Sequence, residues 1–255
     1  MHGPDVAHWT DLTRELDRWA EAGLCATFWW RDDDAEDRTP ALDRLLGLAR
    51  SHDAGVAIAV VPSGATPGLA ERLAIEKRAT VVQHGYAHRN HAAPHKKKAE
   101  LGADRPAALV LGELARGALA LDRLFGDAWL RVMVPPHNRI ADALAAALPA
   151  AGYIGVSTFG RKARAATGLA WINTHVDIMN WTTTRAFVGE SEALQATIGD
   201  LTARRAGAAA TTPTGLLTHH LIHDDGAWSF IDRFLGTLNG HPAARIVAPR
   251  QVFAA

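Results

Sequence analysis

The chain is nearly devoid of cysteine, with Cys25 as the only one among its 255 residues. A single cysteine excludes an internal disulfide and is typical of a protein in a reducing compartment. Because Cys25 lies in an apolar stretch, we expect it to be a small buried packing residue and not a reactive thiol.

The sequence also lacks an excess of charge of either sign, since 27 basic residues are balanced by 27 acidic ones. No electrostatic footprint for nucleic acid or for an acidic membrane is therefore evident. It contains no run of about 18 consecutive apolar residues, and residues 1–5 include neither the basic nor the apolar segment of an export signal. We therefore expect a cytoplasmic protein with no nucleic-acid or membrane partner, while its oligomeric state stays open.

The chain is long enough and apolar enough, at 48% hydrophobic residues, to bury a large core. Seven or eight short apolar segments alternate with amphipathic helical segments, which is typical of parallel strands joined by right-handed crossovers. Polar clusters follow many of these strands, and no glycine-rich phosphate motif follows the first, so a closed barrel is favoured over an open doubly wound sheet. We predict a single (β/α) barrel domain over residues 1–255.

An acidic cluster, Arg31-Asp32-Asp33-Asp34, directly follows a predicted buried strand over residues 24–30. Adjacent carboxylates repel one another, and a bound cation offsets that repulsion and lowers their pKa values. A solvated turn is the alternative interpretation. The position after a strand indicates carboxylates at a barrel mouth, whereas Trp29 and Trp30, within the strand, are expected to pack in the core.

Two histidines four residues apart, His84 and His88, follow another predicted strand, and Gly85 between them lets the backbone bend. One carboxylate and two neutral imidazoles can hold a divalent ion and leave a coordination position open for water. The acidic cluster and this histidine pair together therefore indicate a hydrolytic metal site.

The polar segment that continues to residue 105 is long for a loop inside a compact domain, which favours a functional role. We expect the lysines at 96–98 and His95 to be solvated, and we leave the role of His91 open. Glu100 could fold back to brace the site.

Two more histidines, His219 and His220, follow a predicted strand over residues 215–218. The near-neutral pKa of an imidazole suits a proton donor, although a packed core histidine is the alternative interpretation. Because side chains alternate along a strand, only one of the two can point into the barrel.

These motifs, together with Val134-Pro135-Pro136-His137-Asn138 and with Asp177 followed by Trp181, resemble those of the polysaccharide deacetylase superfamily, also called carbohydrate esterase family four. The resemblance runs from about residue 27 to residue 225. It implies a distorted (β/α) barrel of about seven parallel strands. It also implies a hydrolase that removes an acetyl group from an N-acetylated carbohydrate or a related amide, with one divalent metal ion, expected to be zinc, and a small-molecule or oligosaccharide substrate.

The resemblance assigns a role to each matching residue. It implies that Asp34, His84 and His88 are the metal ligands and that Asp33 is the catalytic base; a register one residue earlier, Asp32 and Asp33, stays open. It implies that His219 is the proton donor, with His220 as the open alternative. Asp177 would steer the imidazole, and backbone N–H groups near Tyr86 would hold an oxyanion. Trp181 would stack on a sugar ring. Arg31 and Arg139 are further supporting residues.

The sequence departs from the family pattern at Val134, where the family has an arginine that pairs with the base. Arg31 or Arg139 could replace it. His175 has no counterpart and could add to the pocket. These departures leave two alternatives: a hydrolase of another small C–N substrate such as a cyclic amide, and a catalytically silent carbohydrate-binding barrel.

Overall fold

The computed structural model describes residues 6–161, 168–207 and 212–254. In these ranges helices and parallel strands alternate along the chain, as the apolar pattern predicts. The helices are α1 (Trp9–Glu21), α2 (Pro40–Ser51), α3 (Pro67–Ala74), α4 (Ala107–Phe125), α5 (Asp142–Ala147), α6 (Glu190–Arg205), α7 (Asp225–Asn239) and α8 (Pro249–Val252). The strands are β1 (Ala26–Ala35), β2 (Val56–Val60), β3 (Ala79–His84), β4 (Val132–Val134), β5 (Gly155–Val156), β6 (Ala170–Trp171), β7 (Val176–Asp177), β8 (Thr214–Thr218) and β9 (Ala244–Ile246).

The strands form one curled sheet in the order β6-β5-β4-β3-β2-β1-β8-β7, and β9 pairs with the beginning of β1. The two edge strands, β6 and β7, are consecutive pieces of one extended segment. Within that segment Thr174 N donates to Thr158 O at 3.0 Å on one side, and His175 N donates to Gly215 O at 2.7 Å on the other. The sheet therefore curls until its edges meet at this segment, and the predicted distorted (β/α) barrel is confirmed.

The central strand β1 separates two apolar layers. Phe28 and Trp30 face the surrounding helices, whereas Trp29 faces the barrel interior among alanine and valine side chains of the neighbouring strands. The side chain of Phe253, which follows α8, closes the interior from below, with its ring 5.7 Å from that of Trp29. Both tryptophans are buried, as predicted. The interior is apolar below and turns polar at Arg31, so the polar groups lie at the carboxyl ends of the strands.

The first strand differs from its prediction at both ends. It begins at Ala26, so Cys25 lies in the surface connection after α1 and is exposed; the prediction that it is buried is wrong. It also continues to Ala35, because β8 pairs with it as far as Asp32 and β2 as far as Ala35. The acidic cluster therefore lies inside the strand and not beyond its end.

Side-chain caps mark the starts of α2, α3 and α7. Thr39 Oγ1 accepts a hydrogen bond from Leu42 N at 3.1 Å at the start of α2. The apolar face of α1, which includes Leu12 and Leu16, is fully buried. None of the helices in the described ranges has the length and apolar character needed to cross a bilayer.

Candidate metal centre at the barrel mouth

A bulge in β1 separates the three aspartates. Asp32 pairs with Ile58 and Ala35 pairs with Val60, so β1 carries one residue more than β2 between these two pairs. Asp34 adopts a left-handed backbone conformation, with φ of 75°. Successive side chains of a regular strand point to opposite faces, and the extra residue interrupts that alternation. As a result Asp33 and Asp34 both reach the mouth, while Asp32 faces the helices.

Asp34 meets the two predicted histidines, His84 at the end of β3 and His88 in the following loop. The Nε2 atoms of His84 and His88 lie 3.1 and 3.3 Å from Asp34 Oδ1, and ligand atoms of the three residues all lie within 4.8 Å of one another. His84 Nδ1 lies 2.9 Å from the carbonyl oxygen of Val134, which can only accept a hydrogen bond. Nδ1 of His84 therefore carries the proton, and in the neutral ring the lone pair of Nε2 faces the carboxylate. Three converging acceptors of this kind suit a divalent cation.

The charges of this cluster shift its pKa values. Burial alone would raise the pKa of Asp34, but the hydrogen bond from His84 and the charges of His84, His219 and His88 hold it well below its usual range. Burial would lower the pKa of His84, yet Asp33 and Asp34 raise it. Burial and the neighbouring His84 lower the pKa of His88. Asp34 and His88 therefore favour the forms that bind a metal, whereas a metal ion must displace a proton from His84.

A buried carboxylate, Glu100, holds the loop that carries His88. It is 1% exposed. Its two oxygens accept hydrogen bonds from the backbone N–H groups of Tyr86 (3.0 Å), Ala87 (2.8 Å) and Arg89 (3.4 Å). A Cβ at Gly85 would lie 2.1 Å from Glu100 Oε2, and His88 has a positive φ of 53°, so the turn is tight. Glu100 thus lies where a brace of the site was expected, and it fixes the backbone that presents His88.

Arg31 is fully buried beneath the mouth and pairs with Asp33 through both branches of its guanidinium. Nε lies 2.9 Å from Asp33 Oδ1, and Nη2 donates to Oδ2 at 3.0 Å. Nη2 also donates to Asn138 Oδ1 at 2.7 Å, and Nη1 donates to Ser157 Oγ at 2.6 Å. Arg31, and not Arg139, is therefore the arginine that contacts the predicted base Asp33. The contributions of Asn138 and Ser157 were not predicted, because they reach Arg31 only across the barrel.

His219, after β8, lies on the other side of Asp33. Its Nε2 is 4.0 Å from Asp33 Oδ2, and its ring packs edge-to-face against Trp181 with centroids 4.5 Å apart. Asp177 accepts hydrogen bonds from Met179 N at 3.0 Å and from Trp181 Nε1 at 2.8 Å. Among the described residues, Nδ1 of His219 has no hydrogen-bond partner. Asp177 thus contacts Trp181, and Trp181 packs against the ring, so the predicted steering of the imidazole by Asp177 would act through Trp181. Burial raises the pKa of Asp177, although the charge of His219 opposes it.

His220 points away from the mouth, as strand alternation predicts when His219 points in. Its Nδ1 lies 2.5 Å from Asp32 Oδ1, and its backbone N donates to Asp32 Oδ2 at 3.0 Å. Thr218 Oγ1 donates to the same carboxylate at 2.7 Å. Burial would lower the pKa of His220, but the charge of Asp32 raises it. Asp32 and His220 thus form a buried ion pair behind β1, and the structure places neither at the mouth.

Two supporting residues lie differently from their predicted roles. The backbone N–H of Tyr86 donates to Glu100, so it is engaged and does not hold an oxyanion, and its ring lies 5.4 Å from the guanidinium of Arg116. Arg139 is exposed and donates from Nη1 to the carbonyl oxygen of Lys98 at 2.8 Å. It is therefore not the partner of the predicted base.

His175 also lies outside the mouth. Its Nδ1 accepts a hydrogen bond from Gly215 N at 3.1 Å, and it lies 4.0 Å from Asp200 Oδ1 of α6. Since Gly215 is at the beginning of β8, this contact lies toward the opposite end of the strands. The expectation that His175 adds to the pocket is wrong.

His137 was not predicted as a site residue, yet its ring lies 4.8 Å from that of His88. Burial, His88, Lys98, His84 and Arg139 together lower its pKa to about 4. Both His137 and Asn138 have positive φ angles, 58° and 56°. The tight turn after Pro135-Pro136 thus brings a fourth imidazole beside the cluster, which spacing along the sequence did not indicate.

No protein-family model and no curated protein sequence matches the chain. Solved structures do match its fold. A peptidoglycan N-acetylglucosamine deacetylase is 16% identical, with a TM-score of 0.61, over 93% of this chain and 96% of that one. A protein from Mycobacterium smegmatis assigned as a polysaccharide deacetylase is 16% identical, with a TM-score of 0.69, over 91% and 90%. A family 4 acetyl xylan esterase from Clostridium thermocellum, in complex with a cobalt ion, is 10% identical, with a TM-score of 0.58, over 89% and 90%.

The barrel is therefore that of the polysaccharide deacetylases and family 4 carbohydrate esterases, as the sequence motifs suggested.

Proposed function

We propose that the protein is a metal-dependent hydrolase that removes an acetyl group from an N-acetylated carbohydrate or a related amide. The observation that carries this proposal is the convergence of Asp34, His84 and His88 beside the ion-paired carboxylate of Asp33. The solved structures of the same fold include a deacetylase of N-acetylglucosamine in peptidoglycan and an acetyl xylan esterase, which supports an acetylated sugar as the substrate class.

In this proposal the metal ligands are Asp34, His84 and His88. One carboxylate oxygen and two imidazole nitrogens form a donor set that suits zinc. The cobalt ion in the acetyl xylan esterase supports a divalent ion in a barrel of this kind. A divalent cation held there would polarise the acetyl carbonyl and acidify a water molecule.

Asp33 acts as the general base. Its carboxylate is 2% exposed and is held by Arg31, so it keeps one orientation toward the mouth. A base must lie within hydrogen-bond reach of the proton that it removes, and Asp33 lies directly next to the ligand Asp34 in β1. It would accept a proton from the attacking water. The bulge makes this possible, because it brings two consecutive side chains to the same face.

His219 acts as the general acid that protonates the departing amine. Its Nε2 lies 4.0 Å from Asp33, so acid and base flank the same space, and Trp181 fixes the ring from the side. A positioned acid of this kind contributes roughly 10²–10⁴-fold to the rate. Trp181 is 43% exposed, so its free face is also available to stack on a sugar ring.

A silent carbohydrate-binding barrel was suggested by Val134 in place of an arginine. The ion pair between Arg31 and Asp33 removes that reason, because an arginine does contact the proposed base. Hydrolysis of a different C–N substrate would use the same residues, so only the reaction product distinguishes it from deacetylation. Release of acetate from N-acetylated chito-oligosaccharides, measured enzymatically, tests for deacetylation.

Two variants test the assigned roles. Asp33→Asn keeps the size of the side chain and lies outside the ligand set, so it should retain bound metal and lose most of the turnover. His84→Ala removes a ligand and should lose both metal and turnover. Metal content by elemental analysis and acetate release are the measurements. If the two variants match each other in metal content and in activity, the roles are assigned wrongly.

A further inference from the structure

The two loops that border the metal centre, after β3 and after β4, carry four positively charged residues that we call the basic rim: Arg89, Lys97, Lys98 and Arg139. All four are exposed. In the part of the chain that the structure describes, none of them forms an ion pair with a carboxylate. Lys96 is different, because its Nζ lies 2.5 Å from Asp104 Oδ1.

Backbone and side-chain contacts fix the basic rim beside the metal centre. Arg89 directly follows the proposed ligand His88. Arg139 donates to the Lys98 carbonyl at 2.8 Å, and Leu101 pairs with Ile140, so the loop after β3 and the segment after β4 are joined. Lys98 and Arg139 therefore lie on one continuous surface.

The basic rim adjoins the metal centre at His137, two residues before Arg139. The ring of His137 lies 4.8 Å from that of His88. His137 also directly precedes Asn138, which contacts Arg31 beneath the proposed base. The basic rim is therefore a border of the site and not a distant surface.

The concentration of positive charge needs a local explanation. The whole chain is balanced at 27 basic and 27 acidic residues, so the basic rim does not follow from the overall charge. The nearest carboxylate of the loop, Glu100, is buried and engaged with backbone N–H groups. Like charges at close range repel one another, and an anion between them offsets that repulsion.

We propose that the basic rim binds a phosphate group of the substrate, so that the protein acts on an N-acetylated sugar that carries a phosphate or diphosphate. This inference rests on the proposed function. Guanidinium and ammonium groups are the usual ligands of phosphate oxygens. Four cations suit a multiply charged phosphate better than a single carboxylate, which one arginine can satisfy. With the phosphate on the basic rim, the acetyl group of the same sugar would lie over Asp33 and Asp34.

The test compares two substrates that differ only in the group on the anomeric oxygen: the neutral methyl glycoside of N-acetylglucosamine and N-acetylglucosamine 1-phosphate. At low ionic strength we expect kcat/KM to be about tenfold higher for the phosphate, mainly through KM, and the preference to shrink with added salt. A double variant, Lys97→Gln with Lys98→Gln, should lose most of the preference. The control is Lys77→Gln, an exposed lysine before β3 at the opposite end of the strands, which should keep it. Equal kcat/KM values for the two substrates, or a preference that survives in the double variant, would overturn the inference.

A second measurement separates this inference from the proposed function. Binding of inorganic pyrophosphate to the metal-loaded protein is followed by calorimetry. If the neutral glycoside is hydrolysed but pyrophosphate binds equally to the wild type and the double variant, only the basic-rim inference fails. If no acetylated sugar is hydrolysed, loss of pyrophosphate binding in the double variant but not in Lys77→Gln still supports the basic rim, and the proposed function fails alone.

The source of the phosphate is identified by a further comparison. N-acetylglucosamine linked to a nucleoside diphosphate is compared with the same sugar linked to a lipid diphosphate in vesicles. The higher kcat/KM identifies whether the natural substrate is a soluble nucleotide sugar or a lipid-linked one.

Discussion

Replacing Glu100 by glutamine tests whether the loop brace controls the metal centre. The carboxylate accepts three backbone N–H groups at 2.8 to 3.4 Å. In the variant one oxygen becomes an NH2 group, which faces donors and cannot accept from them. A hydrogen bond to a charged group contributes about 1.5–3 kcal/mol, so losing one or two of them costs about 1.5–6 kcal/mol in the ordering of this loop.

The effect should appear in metal affinity because the loop presents His88. Changes in residues that hold a metal ligand typically weaken binding by about 10–100-fold. That range corresponds to about 1.4–2.8 kcal/mol, which agrees with the loss of one or two hydrogen bonds. Competition with a coloured chelator measures the zinc affinity, and the thermal unfolding midpoint shows how far the loss extends beyond the loop.

The matched control is Glu71→Gln, an exposed residue of α3, which removes the same charge without touching the site. The control should keep the wild-type affinity. A Glu100→Gln variant whose zinc affinity stays within about twofold of the wild type would show that His88 is held by other contacts, and the reasoning would be refuted.

Three further outcomes are expected. Arg31→Gln leaves Asp33 buried without its cation, so urea denaturation should show a loss of about 3–5 kcal/mol in the free energy of unfolding; no loss would exclude the ion pair. The raised pKa of His84 means that a metal ion must displace a proton, so zinc affinity measured across pH should fall on acidification, beginning above the ordinary value of 6.5. His220→Gln removes a group whose pKa is raised by Asp32. The pair's contribution is complete below the unfolded pKa of histidine and is lost as pH rises through the folded pKa, so the stability difference from wild type should be largest at mildly acidic pH and shrink at alkaline pH; a difference that grows with pH would contradict this.

The sequence pattern was sufficient for the elements and the architecture of this protein. The seven or eight apolar segments predicted the alternation of strands and helices, although the described residues form nine strands. Alternation along β8 also predicted that only one of His219 and His220 faces inward, and the contacts of His219 with Trp181 and of His220 with Asp32 agree with it.

The placement of individual carboxylates could not be predicted in the same way. Whether Asp33 and Asp34 share a face depends on the extra residue in β1, and that bulge is defined by the pairing with β2, a strand more than twenty residues later. The choice between Arg31 and Arg139 was open for a similar reason. The contacts that hold Arg31 in place come from Asn138 and Ser157, which follow β4 and β5 across the barrel from β1.

The packing of Phe253 against Trp29 has a consequence for how the polypeptide is made. Strand β1 is synthesised early, but two of its partners, β8 and β9, and the ring that seals the interior below Trp29 all come from residues 214–253. During translation β1 therefore cannot complete its pairing until residues 214–253 have been synthesised, and its apolar faces stay incompletely covered until then. Long-range pairing of this kind slows folding and exposes intermediates to aggregation.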